Sequence, residues 1–132
     1  MALKVEVSVG ELLDKITILE IKSERITDAG KLANVNKELA SLRQTWAESP
    51  LSAQDVDKQI AQLKEVNLAI WDIEDNIRRK EAAQVFDDEF IQLARSVYHQ
   101  NDLRAAVKKE INTLLDSGLV EEKSYVDYRP KD

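Results

Sequence analysis

Four stretches of the chain repeat apolar residues at helical spacing, and one stretch alternates. Leu3, Val5, Val7 and Val9 are separated by Lys4, Glu6 and Ser8, the period-two pattern of a short half-buried strand. Ser8 and Glu11 then form a capping box, with Val7 and Leu12 as staple partners, which predicts a helix start. That helix runs to about Thr27, with Leu12, Leu13, Ile16, Leu19 and Ile26 turned inward and Ile18 and Ile21 widening the apolar surface. Asp28-Ala29-Gly30 reads as a short turn, with Gly30 suited to a left-handed helix end. A turn this short sets the next helix antiparallel to the first. Its seam is Leu32, Val35, Leu39, Leu42 and Trp46.

The third helix is the longest, from about Ser52 to Glu81, with Ser49-Pro50 an equally good start. Val56, Ile60, Leu63, Ile70 and Ile77 make a seam in which Asn67 and Glu74 occupy positions that should be apolar. An amide in such a seam fixes register at a cost in stability, so Asn67→Leu is expected to raise the melting temperature. About 30 residues of helix span about 45 Å, more than the first two helices cover, which predicts burial of the excess against a neighbour or a second copy. Asp87 caps the fourth helix, whose line is Phe90, Leu93, Val97, Val107, Ile111 and Leu114. Gln100 and Arg104 interrupt that line, and a kink or break is expected near Asn101. The chain leaves the helix at Gly118, and a tail bearing Tyr125, Val126 and Tyr128 should dock, with pairing to the N-terminal strand left open. The expected fold is all-α: one domain over residues 1–132, an up-and-down bundle of four main helices with coiled-coil-like seams. A short extended segment precedes it and a docked tail follows.

Composition narrows the function. Charged residues are 33% and apolar ones 43%, with three Gly and two Pro, which suits helices better than a sandwich. A net charge of −6 disfavours nucleic acid as a partner. The chain has no Cys, which excludes disulfides and thiolate metal sites and fits a reducing cytoplasm. No signal peptide and no apolar run of membrane-spanning length is evident. A single histidine, His99, gives no support to a histidine triad or a histidine metal cluster, and no glycine-rich phosphate loop is present. No cofactor or metal site is expected.

Two polar clusters remain. Trp71, Glu74, Asp75 and Arg78 crowd neighbouring turns of the third helix. They read either as a salt-bridge face or as a site where Arg78 holds an anion and Glu74 acts as acid or base. The partner of Glu74 is expected among Lys15, Arg95 and Lys108. The fourth helix carries Arg95, Tyr98, Asn101, Asp102, Arg104, Lys108 and Asn112. Ala94, Tyr98, Asn101, Ala105, Lys108 and Asn112 share a stripe beside the apolar line, where small residues alternating with long polar ones leave room for a pocket. Antiparallel packing should bring the end of the third helix against the start of the fourth, placing an anion between Arg78 and Arg95 or Lys108. Glu11 and Asp14 form an E-x-x-D pair, a weak magnesium signal with only Asp72 to Asp75 as a second carboxylate motif.

The stretches SVGELLDKITILEIK, WDIEDNIRRKE, FDDEFIQLARSVYHQNDLRAAVKKEIN and SYVDY resemble a family of small helical bacterial and phage proteins of unknown function. The resemblance spans nearly the whole chain and implies no activity. From the residues, the leading expectation is a cytoplasmic, self-associating interaction or accessory module with a homo-oligomeric or other protein partner. The alternative is a small all-α enzyme or binding protein for an anionic metabolite.

Overall fold

The computed structural model describes residues 1–130. Helix α1 spans Val9–Arg25, α2 Ala29–Glu48, α3 Asp57–Ala82 and α4 Asp88–Leu114, with a one-turn 3-10 helix at Pro50–Ala53. Asn67 bonds to Arg104 while Gln59 bonds to Glu110, so α3 and α4 are antiparallel. Gly10 meets Asn112, and Asp14 approaches Lys108, so α1 also runs antiparallel to α4. The result is an all-α bundle running up, down, up and down.

Each helix start has a local cause. Ser8 Oγ accepts the Glu11 amide at 3.1 Å, as the capping box requires. The reciprocal half is missing, because the Glu11 carboxylate turns instead to Lys108. Asp28 caps α2 by accepting the Lys31 amide, and Asp87 caps α4 by accepting the Phe90 amide. Helices α3 and α4 both end in a left-handed residue, Gln84 at φ 56 and Asp116 at φ 49. In each case the next amide reaches back five residues, Val85 to the Lys80 carbonyl and Ser117 to the Asn112 carbonyl, which closes a Schellman turn.

The core sits at one end of the bundle. It gathers Leu13, Ile16 and Leu19 of α1, Leu39 of α2, Val56, Leu63 of α3, Ile111 of α4 and Leu115. Helix α1 touches all three other helices, whereas α2 approaches only α1 and the 3-10 helix. At 17 residues α1 is about 26 Å long, while α3 with 26 residues reaches about 39 Å. The far half of the α3–α4 hairpin therefore outruns its cover. No residue from 68 to 107 is buried, and Ile70, Ile73, Ile77, Leu93 and Val97 are only half-buried. Two helices alone cannot close a dry core, so this half is the weaker part of the fold.

Four local expectations are corrected. Met1–Val7 form no strand among the described residues; Leu3 and Val5 are 92% and 79% exposed, so their alternation has no sheet to face. SYVDY consequently has no strand to pair with and lies against α4. Gly30 is inside α2 rather than at a helix end, because Asp28 starts the helix two residues earlier. Neither Ser49 nor Ser52 starts the third helix; Ser49 caps the 3-10 turn, and α3 begins only at Asp57. Helix α4 is continuous through Asn101, whose side chain accepts from Arg104 one turn further on instead of capping a new helix.

Candidate functional site

One level of the bundle is polar on every helix that reaches it. Along α1, Gly10, Asp14, Thr17 and Ile21 follow helical spacing and face the α3–α4 hairpin. Gly10 lets the backbones meet: a Cβ there would lie 2.6 Å from the Lys108 carbonyl oxygen. Its amide donates to Asn112 Oδ1 at 2.7 Å, and the Val9 amide donates to Ser117 Oγ at 3.3 Å. The first amides of α1 are thus satisfied by α4 and its terminus.

Behind this contact lies an ion cluster. Lys108 Nζ, on a side chain 8% exposed, donates to Glu11 Oε2 and Glu121 Oε2 at 2.6 Å each and stands 3.8 Å from Asp14 Oδ2. Burial is the largest single influence on this ammonium and lowers its pKa. The hydrogen bonds to Glu11 and Glu121, with the fields of Glu11 and Asp14, outweigh it and hold Lys108 above its ordinary value. Three carboxylates around one ammonium leave no place for an anion. Lys108, expected among the anion-gripping residues, is instead a structural cation that ties α1 and the tail to α4. The E-x-x-D pair of Glu11 and Asp14 is spent on the same ammonium.

From that cluster a hydrogen-bonded chain leads outward. Asn67 Nδ2 donates to Asp14 Oδ1 at 2.7 Å and to Thr17 Oγ1 at 3.0 Å, all three residues being buried. Asn67 Oδ1 accepts from Arg104 Nη1 at 3.2 Å, and the other Arg104 nitrogen donates to Asn101 Oδ1. Arg104 is half-buried and, among the described residues, has no carboxylate partner. Two neutral amide oxygens fix its fork while leaving its charge uncompensated at contact distance.

Arg104 stands between two clefts. The first, about 250 Å³, lies where α1 stops short of the hairpin; Ile18, Ile21, Ile70 and Trp71 wall it, and Asn67, Glu74, Asp75, Arg78 and Arg104 supply its polar groups. The second, about 470 Å³, lies between α4 and the tail and is lined by Tyr98, Asn101, Asp102, Arg104, Lys123, Tyr125 and Tyr128 with Val97 and Val126. The tail is held there by Glu121 on Lys108 and by the Tyr128 hydroxyl, which donates to Asp102 Oδ2 at 2.7 Å and lies 3.2 Å from His99 Nδ1. That bond to the Asp102 carboxylate, first among the causes, raises the Tyr128 pKa.

The sequence candidates are distributed as follows. Trp71, Glu74, Asp75, Arg78 and Arg104 share the first cleft, and Tyr98, Asn101 and Arg104 share the second. Arg95 is exposed and lines neither. Glu74 pairs with Arg78 at 3.2 Å, one turn away, and not with Lys15, Arg95 or Lys108. Glu74 therefore makes an ordinary i,i+4 ion pair, worth about 0.2–0.5 kcal/mol. Sequence reasoning missed Thr17, Glu121 and Lys123, and placed Asn112 on the polar stripe of α4 without its partner Gly10. Asp14 and Asn112 carried a signal, since both sit on stripes that face a neighbouring helix; Glu121 and Lys123, in an irregular tail, carried none.

Among the described residues no group of three or more His, Asp or Glu side chains is placed to hold a metal ion, and no helix is long and apolar enough to cross a membrane. No curated protein and no solved structure matches this chain. A family model does match, over residues 3–129, and the chain belongs to the family of unknown function DUF6165.

Proposed function

We propose that this protein is a cytoplasmic binding protein for a small anionic metabolite, carrying a phosphate or carboxylate, with Arg104 as its anchor. One observation carries this reading: a half-buried guanidinium, oriented by Asn67 and Asn101, has only neutral partners and stands between two clefts. Guanidinium forks held this way are pre-organised for bidentate contact with carboxylate or phosphate. A catalytic role for Glu74 draws no support from its exposed pairing with Arg78.

The test is thermal shift against phosphate, sugar phosphates, dicarboxylates and nucleotides. A ligand at a hundred times its dissociation constant should stabilise the fold by about 2.7 kcal/mol. Arg104→Gln should abolish the shift and Arg95→Ala should leave it intact. A panel with no concentration-dependent shift removes the reading.

Self-association is a second reading, favoured by the uncovered half of the hairpin. Val85, Phe86 and Ile91 are 39%, 54% and 50% exposed around the α3–α4 turn, beyond the reach of α1. A second copy offering the same surface would cover them in a two-fold pairing. Light scattering that returns a 15.0 kDa species at high concentration would remove it.

A further inference from the structure

We infer that the cleft between α4 and the C-terminal tail takes an aromatic ring joined to a phosphate, and specifically a nucleoside monophosphate. The inference rests on the reading that Arg104 holds an anion, and it assigns the side from which that anion arrives. The α1 side is a poor choice. There Glu74 already pairs with Arg78, and Asp75 lines the cleft as a second carboxylate, so its two guanidiniums are matched by two carboxylates.

The tail side is different in charge and in shape. It presents two cations, Arg104 and Lys123, and one carboxylate, Asp102, which is already accepting the Tyr128 hydroxyl. The Glu121 carboxylate near Lys123 sits at 4.0 Å and is committed to Lys108 at 2.6 Å, which leaves Lys123 loosely held. Glu121 acts on Arg104 and Lys123 through its field, without a close contact to either, so a phosphate at Arg104 with Lys123 beside it would be their first anionic partner at hydrogen-bonding distance.

The ring subsite is tyrosine. The Tyr98 and Tyr128 rings lie 4.5 Å apart at 57°, with His99 4.9 Å from Tyr128, forming an aromatic corner between α4 and the tail. Tyr125 lines the same cleft while 79% exposed, an aromatic face left to water. A planar base laid against these rings would cover them, and stacking of that kind tolerates any base. The volume, about 470 Å³, falls in the range of about 300–1,000 Å³ usual for small-molecule sites. A polymer is the wrong occupant, since a net charge of −6 repels a long polyanion but not one phosphate held at contact distance.

The experiment is calorimetric titration of the full chain with adenosine and uridine monophosphate, ribose 5-phosphate, adenosine, and a single-stranded ten-nucleotide RNA. Both monophosphates should bind, with ribose 5-phosphate and adenosine each weaker by about tenfold or more. Tyr125→Ala, which removes a ring that packs on no core residue, should weaken the monophosphates by about tenfold and leave ribose 5-phosphate unchanged. Equal binding of ribose 5-phosphate and the monophosphates, lost in Arg104→Gln, would overturn the ring subsite while keeping the anion site. A Tyr125→Ala chain that binds both monophosphates as tightly as the parent would overturn the ring subsite too. Tighter binding of the RNA than of the monophosphates would replace the proposal with a strand-binding surface. No binding by any phosphate compound would remove both this inference and the reading beneath it.

Discussion

Asn67 on α3 donates to Asp14 on α1 at 2.7 Å, and each residue is only 4% exposed. The amide is the link between a buried carboxylate and the half-buried guanidinium of Arg104. Buried polar groups of this kind are tolerable only while every member has a partner.

Asn67→Leu should therefore destabilise the protein, the reverse of what its place in an apolar seam implies. Leucine supplies no donor to Asp14 and no acceptor to Arg104; Asp14 keeps Lys108 at 3.8 Å and Arg104 keeps Asn101, so the cost is that of the lost buried hydrogen bonds, about 1–3 kcal/mol. Urea denaturation should show the loss. A midpoint equal to or above the parent's would mean that the Asp14 carboxylate finds another donor.

Lys108 binds the tail as well as α1, so acid should release the tail before it unfolds the bundle. The Lys108 ammonium, first among the causes, holds the Glu121 carboxyl below its ordinary value of 4.5. A depressed carboxyl contributes stability above its unfolded pKa and loses it as pH falls through the folded one. Amide resonances of residues 119–124 should hold steady from about pH 5 to 8 and drift toward disordered values below about pH 4. Glu121→Gln should show the drifted positions throughout. Resonances that stay put down to the acid unfolding of the core would contradict this.

Gly10 marks the closest approach of α1 to α4, and Gly10→Ala would drive a methyl to 2.6 Å from the Lys108 carbonyl oxygen. Backbone must shift, stretching the Gly10–Asn112 bond, and overpacking of this order costs about 1–3 kcal/mol. A melting temperature unchanged from the parent's would show that α1 slides freely.

Gln84 holds φ 56 at the end of α3, a left-handed position that suits glycine. Gln84→Gly relieves the strain at the expense of an exposed bond to the Glu81 carbonyl, and should stabilise by about 0.5–1 kcal/mol. A lower melting temperature would place the balance with that exposed bond.

Periodicity and caps made the helices legible: Ser8 and Asp87 mark two starts, and the seams of Leu13, Leu39, Leu63 and Ile111 reach the core. Where a residue's role depends on a distant partner, the sequence was silent. Leu3, Val5 and Val7 alternate as a strand would, but a strand exists only when another pairs with it. Asn101 and Asp102 resemble a cap, yet Arg104, one turn along, takes the Asn101 oxygen. The first cleft was half visible, because Trp71, Asp75 and Arg78 lie within two turns of one helix. Its position depends on where α1 ends, which no local pattern within α3 encodes. Lys108 and Arg104 look interchangeable as cations four residues apart on α4. Only the fold distinguishes them, by surrounding one with three carboxylates and the other with amides.

That distinction decides whether Arg104 can hold an anion, and arginine side-chain NMR reads it directly. The Nε–Hε resonances of Arg78, Arg95 and Arg104 can be followed while a phosphate-bearing ligand is titrated into the unmodified chain. Arg104 should move along a saturating curve, with Arg78 and Arg95 nearly still. An Arg104 resonance unmoved by any anion in the panel, or a drift shared equally by all three arginines, would contradict a built anion site at Arg104.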